Sequence, residues 1–215
     1  MTNAPETPVS IVLATRNQGK VAELSALLAP FKVTVLGLAH FPHIGEIEET
    51  GTTFKENALL KASVVSRETG LIAVADDSGL SVDALGGAPG VYSARYSETA
   101  ECRATDERNV HKLLAALADV PLAKRTGHFH CCMAAVHPDG ESITADGVWE
   151  GMIAFAPAGN GGFGYDPIFF DPQAQTTAAA MDPKEKNQRS HRGKAVAALL
   201  LKWPDFVDLP IKLSQ

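Results

Sequence analysis

Cysteine is scarce in this chain. Cys102, Cys131 and Cys132 are the three present among 215 residues, an odd number without Cys-x-x-Cys spacing. That excludes a disulfide framework and agrees with a reducing compartment, the cytoplasm. Basic residues are also few: 19 Lys and Arg against 25 Asp and Glu leave a formal net charge of −6. Broad binding of a phosphate backbone needs a basic surface, so nucleic acid is not an expected partner. A small anionic ligand needs only a few local cations and stays open. No apolar run approaches the roughly 20 residues of a membrane helix, so no membrane partner is expected. The start "MTNAPETPVS" lacks the basic region of a secretory signal. No G-x-S-x-G elbow is present, and no local Cys–His signature points to nucleophilic catalysis.

What is there is the composition of a globular protein, 45% hydrophobic and 20% charged, with ample length for a core. Residues 1–8 read as a polar leader, 9–203 as the folded domain and 204–215 as a tail. Within the domain, "VSIVLAT" (9–15) reads as a buried strand. "KVAELSALLA" (20–29) reads as an amphipathic helix with Val21, Leu24, Leu27 and Leu28 on one face. "KVTVLGL" is a second strand. Thr52 or Thr53 caps a helix through "FKENALLKASVVSRE". "LIAVA" is a strand that ends at Asp76 and Asp77. A helix over 104–120, a hairpin over 127–151 around "HPDG", a Gly-rich loop over 156–170 leading into a strand, and a last helix over 190–203 complete the order. Early alternation of strand and helix followed by a hairpin predicts an α/β (mixed α+β) protein with a mixed sheet.

Two adjacent carboxylates after an apolar strand need an explanation, because like charges repel and burial of either is costly. "DDSG" reads as a plain turn or as a functional pair. "LATRNQGK" (13–20) is a strand, a polar loop and a helix start, a setting where free N–H groups bind anions. It is not a Walker A loop, since Ala14 stands at the first Gly position and Val21 replaces the Ser or Thr that would hold magnesium. Glu46, Glu48 and Glu49 share one loop. Carboxylates of this kind suit Mg²⁺, which takes one or two of them plus substrate phosphates. Lys61, Lys186 and Arg192 supply cations, and "SHRG" places two basic residues against the dipole of a helix start, where Ser190 also reads as a cap. "GNGGFGYDP" (159–167) lets backbone approach a flat ligand on which Phe163 or Tyr165 stacks. His128 and His130 share a strand face, but no further ligand pattern makes them a zinc site.

Taken together, "ATRNQGK", "EETGTTFKENALLKA", "ADDSGLSVDALGGAPGVYSARY", "GGFGYDPIF" and "EKNQRSHRGKA" resemble, in order and spacing, the inosine triphosphate pyrophosphatase (Ham1-like) family. The resemblance runs over about residues 9–202 with no departure at a motif position. It implies an elongated mixed sheet flanked by helices, two lobes with the active cleft between them, and a homodimer. It implies a Mg²⁺-dependent hydrolase that converts ITP, dITP or XTP to the monophosphate and pyrophosphate. By position, Thr15, Arg16, Asn17, Gln18, Gly19 and Lys20 would hold the triphosphate. Asp77 would accept the proton and bind metal together with Glu49 or its neighbour Glu48. Ser78, Phe163, Gly164, Tyr165, Asp166, Lys186, His191 and Arg192 would contact the nucleotide, with Lys61 and Asp76 as helpers. A nucleotide-binding module without turnover, and a phosphatase of smaller esters, are the competing classes.

Overall fold

The computed structural model describes residues 10–28 and 33–207, with the side chains of residues 23, 27 and 28 outside that description. The expected apolar positions at Leu27 and Leu28 therefore lie outside the described side chains, while Leu24 is buried.

Seven strands form one mixed sheet: β1 (Ser10–Leu13), β2 (Thr34–Gly37), β3 (Ile72–Val82), β4 (Thr126–Val136), β5 (Ser142–Ile153), β6 (Phe169–Asp171) and β7 (Thr176–Thr177). Their order is β2-β1-β3-β4-β5-β6-β7. β1 pairs in parallel with both β2 and β3, whereas β5–β6 and β6–β7 are antiparallel. The α-helices are α1 (Gln18–Leu28), α2 (Phe54–Thr69), α3 (Asp106–Ala116), α4 (Pro183–Arg189), α5 (His191–Leu200) and α6 (Trp203–Val207). The architecture is the mixed α/β one that the order of elements predicts.

The chain builds two compact units, one within residues 1–77, 132–146 and 195–215, the other from residues 78–131 and 147–194. In the first, β1 leads through α1 to β2, and β2 leads through α2 back to β3. These parallel crossovers run in opposite directions along the sheet. The right-handed rule therefore sends α1 and α2 to opposite faces. Ile11, Val12, Leu13, Ala73 and Val74 fill the strands between them, each at most 1% exposed. Burying an Ile or Leu of this kind is worth about 1.5–3 kcal/mol. α2 begins at a capping box: Thr53 accepts from the Glu56 N–H while Glu56 reaches back to the Thr53 N–H. It ends at Gly70, whose φ of 66° is the left-handed C-terminal stop.

In the second unit, Leu80, Leu113, Leu117, Phe129, Trp149, Ile153, Ile168 and Phe169 form one core. Arg125 lies within that unit at 2% exposure. Its guanidinium is satisfied by the carbonyls of Leu117, Val120, Ile153 and Ala154. The charge thus sits in part against the carbonyls of Leu117 and Val120 that follow α3, where a helix dipole favours a cation.

Three expectations change. The strand at "LIAVA" does not stop at the acids but runs on through Asp76, Asp77 and Ser78 to Val82. The turn reading of "DDSG" is thereby excluded. The last helix is two, α5 and α6, broken after Leu200. A short helix, α4, precedes it, capped by Asp182 with Pro183 at its first position.

Candidate active site

Strand geometry answers the puzzle of the acidic pair. Successive side chains of a strand point to opposite faces, so Asp76 and Asp77 diverge. Each meets its own lysine. Asp76 Oδ2 lies 3.0 Å from Lys20 Nζ of α1, and Asp77 Oδ1 lies 3.0 Å from Lys61 Nζ of α2. Both aspartates are buried.

Lys61 does more than neutralise Asp77. Its Nζ is also 2.8 Å from Glu49 Oε1, so one ammonium gathers two carboxylates. The loop therefore presents Glu49 to the cluster, while Glu48 is exposed. Asn57, one turn before Lys61 on the same face of α2, donates to Asp77 Oδ2 at 3.1 Å. Burial alone would lower the pKa of Lys61, but Asp77, Asp76 and Glu49 outweigh it and hold the ammonium above its ordinary value. Burial, reinforced by the Glu49 charge, pushes Asp77 above the usual carboxylate range against the opposing pull of Lys61 and Asn57. A carboxylate so raised is a stronger base than a solvated one.

The loop after β1 lies beside this cluster in the same unit. The Ala14 N–H donates to Val74 O at 2.8 Å, which aligns the loop with the end of "LIAVA". Thr15 Oγ1 accepts from the Asn17 N–H, and Asn17 Oδ1 accepts from the Lys20 N–H, so Asn17 caps α1. Arg16, Gln18 and Gly19 are exposed, and Arg16 donates to the carbonyl of Ile44.

The remaining predicted residues belong to the second unit. Phe163 is half-buried, with Arg192 Cζ 4.9 Å and Lys186 Nζ 5.5 Å from its ring centroid. Asp166 Oδ2 accepts from the Phe163 N–H at 2.8 Å and from Lys186 Nζ at 2.9 Å. Gly162 makes this turn possible: its φ is +73°, and a Cβ there would sit 2.0 Å from Asp166 Oδ2. Gly164 donates to Asp106 Oδ2 at 2.7 Å, tying the loop to the start of α3. Tyr165 turns inward instead: it is 4% exposed and its hydroxyl donates to Ser93 O. Burial pushes its pKa up. At the start of α5, Ser190 Oγ accepts from the Gly193 N–H as a cap, and Arg192 Nη2 donates to Ser78 Oγ at 2.9 Å. The His191 ring stacks on Phe129 with centroids 4.6 Å apart.

The Ham1 family model matches residues 11–202. The chain belongs to the Ham1 family. It is 58% identical over 203 residues to the dITP/XTP pyrophosphatase of Nitratidesulfovibrio vulgaris, covering 93% of this chain and 98% of that one. To the dITP/XTP pyrophosphatase of Lactiplantibacillus plantarum it is 48% identical over 199 residues, 93% and 96% of the two chains. Among solved structures it is similar to a HAM1 protein from Coxiella burnetii, with TM-score 0.81, 44% identity, and 92% and 99% of the chains covered.

Within this Ham1-family fold, the sequence reading overlooks two residues. Asn57 carries a signal in hindsight, an amide four residues before Lys61 on an otherwise small and apolar helix face that includes Ala58, Ala62 and Val65. Asp106 has none, because its partner Gly164 is 58 residues away. Among the described residues no group of three or more His, Cys, Asp or Glu is arranged to hold a metal, and this includes His128 and His130. No described helix is long and apolar enough to cross a membrane. A cavity of about 610 Å³ in the second unit, lined by Trp149, Asp171, Gln173, Arg189 and Lys194 among others, contains none of the predicted residues. Among its polar groups, Asp171 pairs with Trp149 and Arg189.

Proposed function

We propose that this chain is a Mg²⁺-dependent pyrophosphatase of non-canonical purine nucleoside triphosphates, releasing the monophosphate and pyrophosphate from ITP, dITP and XTP. The observation that carries the reading is the convergence of Asp77 and Glu49 on Lys61, beside the strand–loop–helix at residues 14–20. The names of the relatives, dITP/XTP pyrophosphatases over nearly their full length, support the same substrate class.

The donor set fits magnesium. Two hard carboxylate oxygens already share one cation, and a metal with so few protein ligands completes its shell with phosphate oxygens and water. Asp77 and Glu49 would hold it. When bound it would neutralise charge developing on the phosphates. Thr15 to Lys20 bind the triphosphate, through N–H groups at the start of α1 and the charge of Lys20. A water attacks the α-phosphorus. The new P–O bond forms as the bond from that phosphorus to the bridging oxygen breaks, and pyrophosphate leaves with the electron pair. Asp77 accepts the proton of the attacking water, a task for a carboxylate fixed on a rigid strand.

Phe163, Gly164, Tyr165, Asp166, Lys186, His191, Arg192 and Ser78 are the proposed nucleotide contacts. Phe163 offers the stacking surface, and Tyr165 acts through the shape of the loop. A 6-oxo purine presents an N1–H donor and an O6 acceptor, and adenine presents the reverse. Cationic donors such as Arg192 suit O6. The same reading carries a homodimer in the cytoplasm, which sedimentation and fractionation test.

A panel of nucleoside triphosphates with Mg²⁺, scored separately for pyrophosphate and orthophosphate, tests the function. Pyrophosphate from ITP and XTP far exceeding that from ATP is expected. Orthophosphate as the product, or comparable kcat/KM for ATP and ITP, would overturn it.

A further inference from the structure

Asn57 is fully buried in α2, and its side chain spans two pieces of the cluster. Its Oδ1 accepts from the Gly51 N–H at 2.8 Å, and its Nδ2 donates to Asp77 Oδ2 at 3.1 Å. The amide orientation follows from the chemistry: a backbone N–H needs the oxygen, and a carboxylate needs the NH₂. Gly51 belongs to the loop that carries Glu49. Its neighbours are held in the same way, since Glu56 Oε2 accepts from the N–H groups of Thr52 at 2.7 Å and Thr53 at 3.1 Å. The fit at Gly51 is tight. A Cβ there would lie 2.6 Å from Asn57 Oδ1 and 2.7 Å from Glu56 Cβ.

We infer that Asn57 is a positioning residue for the hydrolysis proposed above, one that fixes the Asp77 carboxylate and the Glu49 loop in a single geometry. The inference rests on that functional reading. With Lys61 on Oδ1 and Asn57 on Oδ2, both oxygens of Asp77 are held and the carboxylate plane cannot rotate. A neutral amide orients the carboxylate without adding charge, so it does not compete with Lys61 or with a bound cation. Through Gly51 the same amide sets where the Glu49 segment lies against Lys61. Groups that orient ligands and bases in this way typically contribute 10- to 100-fold.

The test compares Asn57→Leu, Asn57→Asp and Gly51→Ala with the parent, using ITP. Asn57→Leu removes both hydrogen bonds. Asn57→Asp keeps an acceptor for Gly51 but sets oxygen against Asp77 Oδ2. Gly51→Ala presses on Asn57 from the other side. Each should lower kcat by about 10- to 100-fold with KM changed by no more than about threefold, and Asn57→Leu and Gly51→Ala, which add no carboxylate, should weaken Mn²⁺ binding, followed by electron paramagnetic resonance without nucleotide. The double variant Gly51→Ala/Asn57→Leu should lose no more than the worse single variant, because both break one link. Near-ultraviolet circular dichroism reports folding. If Asn57→Leu does not fold, the isosteric Asn57→Asp decides. Folded variants with kcat and Mn²⁺ affinity within about twofold of the parent would overturn the inference, as would a kcat loss equal to the unfolded fraction. A parent that releases no pyrophosphate sinks the functional reading alone, and the Mn²⁺ affinities then decide on Asn57. A parent with neither activity nor Mn²⁺ affinity overturns both.

Discussion

The acid–lysine cluster of the first unit and the aromatic–cation cluster of the second are built on opposite plans. The first sets three carboxylates, Glu49, Asp76 and Asp77, against two lysines, Lys20 and Lys61. Its side chains come largely from α1, α2 and β3, whose backbones are held by ladders and helical bonds. The second sets one carboxylate, Asp166, against Lys186 and Arg192 around the ring of Phe163. Its geometry comes from a glycine-rich loop with positive φ at Gly159, Gly162 and Gly164. An acid-rich rigid cluster suits a cation and a proton transfer. A cation-rich aromatic loop suits a flat acceptor-bearing ligand. The difference predicts that damage to the first appears in turnover or in binding of the triphosphate, and damage to the second in discrimination among bases.

The most severe break of that contrast is Asp77→Asn, which keeps the shape and removes the base. It should cut kcat by roughly 10²–10⁴. Near-parental kcat would remove Asp77 from the chemistry and leave the first cluster structural. Lys20→Ala comes next. Loss of a charge-assisted contact should weaken triphosphate binding by about 10- to 100-fold while leaving monophosphate binding nearly unchanged. Equal losses for ITP and IMP would make Lys20 only a partner of Asp76. Arg192→Ala should lower kcat/KM for ITP by roughly tenfold and hardly change that for ATP, narrowing the gap between them. A uniform loss on both nucleotides would deny the second cluster its part in discrimination.

The smallest effect sharpens the comparison from outside both clusters. Against the cost of burial, the N–H groups of Ala174, the Trp149 indole and Gln173 hold Asp171 below the usual carboxylate range. A depressed folded pKa stabilises above the unfolded value, near 3.9, and that stability is lost as pH falls through the folded value. Asp171→Asn should therefore lower Tm by a few degrees at neutral pH, with the deficit shrinking below about pH 4 and kcat unchanged. A pH-independent deficit in thermal scans would refute the charge-based account.

Local chemistry was open to reading from the residues alone. Thr53 three residues before Glu56, Ser190 before the last long helix, and two β-rich runs around "HPDG" each declare an element by bonds within a few residues. The alternation of strand and helix declared the mixed fold, because apolar periodicity and crossover rules act over single units. The polar segments at those junctions pointed to residues 13–20, to the loop of Glu46, Glu48 and Glu49, and to Lys61, Asp76, Asp77, Phe163, Tyr165, Lys186 and Arg192, while Ser78, Gly164, Asp166, His191 and the preference for Glu49 or Glu48 came from the family resemblance. The tertiary structure alone decided what those residues touch. β3 runs on through Asp77 because its ladder partners come from distant stretches of chain. The strand turns Asp76 and Asp77 to opposite faces, and α1 and α2 each deliver a lysine that neutralises one of them. Phe163 stays available while Tyr165 is drawn inward to Ser93, 72 residues earlier. Asn57 holds Asp77 across 20 residues. Hydrogen bonds and ion pairs depend on distance in space, and separation along the chain does not encode it.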